Sequence, residues 1–265
     1  MQVPISDNHR EELRRAVMLL ENPGIAAKIT NFIGVPIEKG LEMLPKNWNE
    51  KVAEITRAAL LKASDAAIFT LKDNPGAKSF NIWHKVGVAV SGGVGGFFGL
   101  PGVAVELPVS TTIMLRSIAE IARSYGESIN DPDTKLACLE VFALGGKSKA
   151  DDLSESGYYI VRMSLARSVS KAVEEITART VAEKSSPALL RVVANIAQRF
   201  GIQISEKIAA QAVPVIGATG GAAINTIFMN HFQDMAVGHF TVRKLERIYG
   251  KDAVKLLYEE LLRLQ

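Results

Sequence analysis

A single cysteine, Cys138, among 265 residues excludes an intramolecular disulfide and a cysteine-based zinc site. Its neighbours Leu136, Ala137 and Leu139 mark it as a small buried hydrophobe in an apolar helical run. Excess charge is scarce as well. A formal net charge of +3 is too mild for a nucleic-acid protein, and no run of Lys and Arg with interleaved aromatics occurs, so no nucleic acid is expected as a partner. The N-terminus, MQVPISDNHREELRR, has neither the basic start nor the apolar stretch of a secretory signal, and no lipidation motif stands at either end. A cytoplasmic location is the expectation. Sustained period-2 alternation is missing too, which argues against strands. What remains is 48% hydrophobic, enough to build a substantial core and to exclude wholesale disorder.

Helical signals fill the chain. Ser6 caps a helix through HREELRRAVMLLE, which Asn22-Pro23-Gly24 stops. IAAKITNFI and PIEKGLEML follow as short pieces, the second starting at Pro36. Asn47 and Glu50 form a capping-box pattern before a long helix to about Asp73, with Val52, Ile55, Ala59, Leu60, Ala63, Ala67 and Leu71 at helical spacing. Asp131-Pro132 and Ser186-Pro187 each pair an N-cap with proline. The segments ending at Tyr125-Gly126, Phe200-Gly201 and Tyr249-Gly250 each carry Arg before an aromatic-glycine stop. Gly157 to Lys184 reads as one helix, and KSKADDLSES (147–156) as an exposed linker. The expected fold is all-α, about ten helices in a single domain, with residues 1–45 as an N-terminal helical arm packed on the main domain at 46–265.

Two long stretches carry no charge. Twenty residues between Lys85 and Glu106 include seven glycines, and twenty-six between Lys207 and Asp234 contain no Asp, Glu, Lys or Arg. Each is long enough for a membrane span, but SGGVGGFFGLPG breaks the first, while Pro214, Asn225, Thr226 and Asn230 interrupt the second. Two Gly/Pro-rich apolar helical hairpins are expected instead. Their contact residues are Gly92, Gly93, Gly95, Gly96, Phe97, Phe98, Gly99 and Pro101 in the first, and Gly217, Gly220 and Gly221 in the second. Gly-xxx-Gly spacings suit either close packing in a core or a shallow membrane-leaning element. SGGVGGFFG has no following Lys-Ser/Thr and no preceding strand, so it is no phosphate cradle.

Candidate chemistry gathers near these runs. Glu106 ends the first one, and a carboxylate there needs a partner such as Arg116 or His231. Glu120 stands four residues after Arg116, the spacing of a helical ion pair. His231, Asp234 and His239 share one helix, with His231 and Asp234 a turn apart and His239 rotated by about 80° from His231. Together with Asn225 these residues form a candidate polar site. They lack any known ligand spacing, so neither a metal nor a cofactor is expected. Ser110, Thr111 and Thr112 lack a GxSxG elbow, and no catalytic residue is assigned.

The blocks GGVGGFFGLPGVAVELPVSTTIMLRSIAEIARSYGE, DPDTKLACLEVFALGG and AVPVIGATGGAAINTIFMNHFQDMAVGHFTVRKLERIYG resemble the EcsC family of bacterial proteins, over roughly Trp48 to Tyr258. That family takes its name from the third protein of an ABC exporter operon, so the resemblance implies a role near the membrane or the exporter. The functional expectation is a non-enzymatic accessory protein, peripheral at the inner face of the cytoplasmic membrane. Its partner would be membrane lipid or a membrane protein such as an ABC transporter. The alternative is a soluble enzyme or a small-ligand or metal-binding protein with its site between the hairpins, around Glu106 and His231.

Overall fold

Ser6 begins the first helix through its side chain, whose hydroxyl accepts the His9 backbone N–H at 3.4 Å. In the computed structural model, which describes residues 4–21, 24–34, 36–42, 44–70, 99–146, 156–178, 186–212 and 217–265, that helix is α1 (Asp7–Leu20). Short α2 (Ile25–Ile33) and α3 (Ile37–Glu42) precede the long α4 (Trp48–Thr70). Next come α5 (Gly99–Ser124), α6 (Pro132–Glu140) with a 3-10 turn at Val141–Ala143, and α7 (Gly157–Ala178). The chain closes with α8 (Pro187–Ala212), α9 (Gly217–Tyr249) and α10 (Lys251–Arg263). The fold is all-α, and no strand occurs among the described residues.

Caps fall where the side-chain chemistry demands. Asp131 accepts the Asp133 N–H at 3.0 Å with Pro132 opening α6, and Ser186 accepts the Leu189 N–H at 3.1 Å ahead of α8. Gly126 and Gly250 both take positive φ, +83° and +87°, where L side chains are strained, and they end α5 and α9. The aromatic-glycine stop expected at Gly201 does not operate: α8 runs through it. Phe200 is fully buried there, and Gly201 lies against Val52, Ala53 and Thr56 of α4, so burial along the helix outweighs the local signal. The helix read as Gly157 to Lys184 is described as far as Ala178, α3 starts at Ile37 rather than Pro36, and residues 147–155 of the expected linker lie outside the described residues.

One core joins the elements. α4 packs on α5 and α8, α5 on α9, and α7 on α8. α1 seats Leu13, Ala16, Val17 and Leu20 against α9 and α10, so the N-terminal helix is part of the core. At the centre Phe142, Phe200, Phe228 and Phe232 pack ring against ring, with centroids 4.7 to 6.2 Å apart. A Cβ on Gly40 would lie 2.2 Å from the Ala209 carbonyl oxygen, so α3 reaches α8 at backbone contact. Gly238 of α9 admits Leu20 in the same way, at 2.6 Å from its Cγ.

Of the glycine-rich runs, Gly92, Gly93, Gly95, Gly96, Phe97 and Phe98 lie outside the described residues, whereas Gly99 and Pro101 stand in the first turn of α5. The second run passes from α8 into α9, which pack on each other; Gly217 opens α9, Gly220 is half-buried and Gly221 buried. Among the described residues, no helix is long and apolar enough to cross a membrane.

Candidate functional site

The residues singled out from the sequence go to separate places. Glu106 pairs with Lys207 of α8 at 2.9 Å, both side chains almost wholly buried, rather than with Arg116 or His231. Lys207 Nζ also stands 5.3 Å from the Phe228 ring centroid. Arg116 faces solvent and Glu120 is buried, so the two do not share an exposed helix face as their spacing suggests. Asn225 is fully buried and accepts from Gln211 Nε2 at 3.4 Å. Asp234 is half-exposed and reaches Lys28 of α2 at 3.5 Å.

His231 is buried beneath Gly145, and neither of its ring nitrogens has a hydrogen-bonding partner among the described residues. Burial, with Lys28 adding to it, pushes its pKa down to about 3. Its ring packs edge-on against Phe232, with centroids 5.1 Å apart. Among the described residues, no group of three or more His, Cys, Asp or Glu side chains is placed to hold a metal ion.

His239, the last of the set, leads to a different site. The i, i+4, i+7 spacing of His239, Arg243 and Glu246 puts them on one face of α9. Arg243 and Glu246 of this face line a cleft of about 900 Å³ together with residues of α6, α7 and the start of α10, while His239 lies buried behind it. Two charged clamps build one wall. Arg162 of α7 binds Glu246 through two bonds of 2.7 and 3.0 Å. Arg243 binds Glu127 through Nε and Nη2, at 2.9 and 3.2 Å, and Asp133 at 2.8 Å. Arg247 joins the second clamp, donating to Glu127 and to the Tyr125 carbonyl. Burial alone would raise the Glu127 carboxyl, but Arg243, Arg247 and Thr134 outweigh it and hold it below the usual carboxylate range.

Glu140 sits between the clamps at the C-terminal end of α6, only 8% exposed, and lines the cleft. Among the described residues no donor reaches its carboxyl within hydrogen-bond distance; His239 Nε2 is 4.0 Å away. Burial pushes its pKa up to about 7, with Arg162 and Arg243 opposing and Asp133 and Glu246 reinforcing. Behind it, the fully buried His239 places Nδ1 3.0 Å from the Tyr158 hydroxyl. Burial, then Arg162 and Arg243, holds His239 well below its ordinary pKa, so the ring is neutral. When Tyr158 donates to Nδ1, the imidazole proton sits on Nε2, the nitrogen turned to Glu140.

Along α7, beside the Arg162 clamp, Tyr159, Met163, Ala166, Val169 and Val173 form a mainly apolar wall that also carries Ser170 and Glu174. The helix is set there by Glu21, whose carboxylate accepts from the Gly157 and Tyr158 backbone N–H groups, from Ser156 and from Tyr258. Reading of the sequence missed the clamps and Glu140. A signal for Glu140 was present: it is the one charge in LACLEVFALGG, as Glu106 is the charge closing its own apolar run.

An all-α protein with one shared core and a mixed-charge cleft at its α6–α7–α9 corner is thus defined. The model of the EcsC protein family matches residues 9–245, and the chain belongs to that family. No curated protein and no solved structure matches it.

Proposed function

We propose that this protein is a non-enzymatic accessory protein that rests on the inner face of the cytoplasmic membrane, with α5 as its lipid-contacting element. The observation that supports this is a stripe along α5. Val105 is 74% exposed and Val109 50% exposed, one turn apart, directly after the uncharged residues 86–104. Arg116 is exposed on the same face, seven residues beyond Val109, a rise of about 10 Å. Apolar side chains at the tip with a cation above them match the depth profile of an acyl boundary under anionic headgroups. Glu106 projects inward from the same turns to Lys207, which fixes the rotation of α5 and keeps the valines outward. From this position a membrane protein, such as the ABC transporter that the family resemblance implies, is the partner within reach.

Vesicle sedimentation tests the reading. The protein should pellet with vesicles containing phosphatidylglycerol. A Val105→Glu/Val109→Glu variant should stay in the supernatant at an unchanged melting temperature, because both positions are exposed. Wild-type protein that remains wholly in the supernatant, or a double variant that pellets equally well, would sink it.

A further inference from the structure

We propose that the cleft between α6, α7 and α9 is a binding site for an organic cation, a primary ammonium on an apolar body, with Glu140 as the residue that receives the ammonium. The site is separate from the α5 stripe and stands independently of the membrane reading.

Three observations converge on this ligand class. The cavity, about 900 Å³, lies in the size range of small-molecule sites. Its guanidinium groups are already committed: Arg162 to Glu246, Arg243 to Glu127 and Asp133, and Arg247 to Glu127. Away from Lys251 and Lys255 at the α10 end, an anionic ligand would have to displace a carboxylate from one of these clamps, at the loss of a charge-assisted bond. Glu140 is in the opposite condition, more than nine-tenths buried and facing the cleft, with no hydrogen bond among the described residues to satisfy its carboxyl. A carboxyl in that state lacks a donor, and an ammonium brings three. The α7 wall then takes the apolar body, with Tyr159 beside the head and exposed Met163 and Ala166 and half-buried Val173 further along.

Binding of the cation requires the carboxylate form of Glu140. Its proton is released as the ammonium docks, so affinity should strengthen as pH rises toward and past 7. The groups facing Glu140 are Asp133 from its own helix, Arg162 from α7, and His239, Arg243 and Glu246 from α9. Arg162 and Arg243 stay charged across this range, and His239 stays neutral, so Glu140 is the group that changes state.

The probe is phenethylammonium, titrated calorimetrically into the full chain, beside 3-phenylpropionate and 2-phenylethanol as anionic and neutral analogues of similar shape. Expected is binding of the amine alone, tighter at pH 8 than at pH 6. Glu140→Gln should weaken it by about tenfold or more, the worth of a charge-assisted hydrogen bond. Ala166→Arg, at an exposed position of α7, should block the wall and abolish the heat while the melting temperature holds. Absence of amine binding in the wild type, equal or tighter binding of the acid or the alcohol, or undiminished amine binding in either variant overturns the proposal.

Discussion

Lys207 Nζ donates to Glu106 Oε1 across 2.9 Å, joining α8 to α5 with 3% and 9% of the two side chains exposed. These residues are the charge that opens the second uncharged run and the charge that closes the first, so the ends of both runs are tied together in the interior. Glu106→Gln keeps the shape but leaves a buried ammonium without its counter-charge. Breaking one side of such a pair costs on the order of 3–5 kcal/mol. Urea unfolding should show that loss for Glu106→Gln, and Glu106→Gln/Lys207→Met should recover a large part of it. Unchanged stability in the single variant would mean that the pair carries no net weight.

How far the sequence could be read follows from the range of the interactions. N-caps, proline starts and the glycine stops at Gly126 and Gly250 are local, and Ser6, Asp131 and Ser186 act where they were expected. The need for a partner at Glu106 was legible because a lone carboxylate in an apolar run must be neutralised. Its identity was not, because Lys207 lies 101 residues away and only the packing of α5, α4 and α8 brings it in. Gly201 misled for the same reason: a stop signal is local, whereas the burial of Phe200 along α8 is tertiary. The clamps were hidden because Arg243, Glu246 and Arg247 read as an ordinary charged helix end. Only the neighbouring α6 and α7 turn that end into a cleft wall.

Gly40 and Gly238, outside the Gly-xxx-Gly pattern, also stand at close contacts. Gly40→Ala places a methyl 2.2 Å from the Ala209 carbonyl oxygen, and a backbone atom has little room to give. Overpacking of this kind costs about 1–3 kcal/mol. Gly34→Ala makes a good control, because its φ of +67° is strained for alanine yet its Cβ would meet nothing within 4 Å. Thermal unfolding should show the larger loss in Gly40→Ala. Equal losses would place the whole effect in backbone propensity.

Glu21 acts as a cap supplied from outside its helix. Its carboxylate takes two backbone N–H groups at the start of α7 and the hydroxyls of Ser156 and Tyr258. Glu21→Ala leaves those donors without the acceptor, an expected loss on the order of 2–3 kcal/mol. Hydrogen exchange should localise the effect, with the first turn of α7 exchanging faster while α4 and α5 hold. Uniform acceleration over all helices would show that the carboxylate supports global stability and not this helix start.

Two buried groups give stability an opposed dependence on pH. Glu140 titrates near 7 in the folded protein against an ordinary 4.5, so the folded state holds the extra proton between those values. Stability from this group is therefore present at low pH and falls as pH rises from about 4.5 to 7, by roughly 3 kcal/mol over the window. His231 runs the other way. Its pKa is about 3 when folded and 6.5 ordinarily, so the unfolded chain takes up the proton first and stability falls as pH drops below 6.5. His239 shares that sign. Between pH 4.5 and 6.5 the slopes of Glu140 and the histidines oppose each other, and single variants should separate them. Glu140→Gln should match the wild type near pH 4 and exceed its stability increasingly up to pH 8. His231→Leu, which removes two unpartnered ring nitrogens, should gain on the wild type as pH falls from 6.5 toward 4. Urea unfolding at intervals from pH 4 to 8 measures both differences. A Glu140→Gln offset that stays constant across that range would mean the carboxyl titrates alike in the folded and unfolded chain, and is not the buried acid at the floor of the cleft.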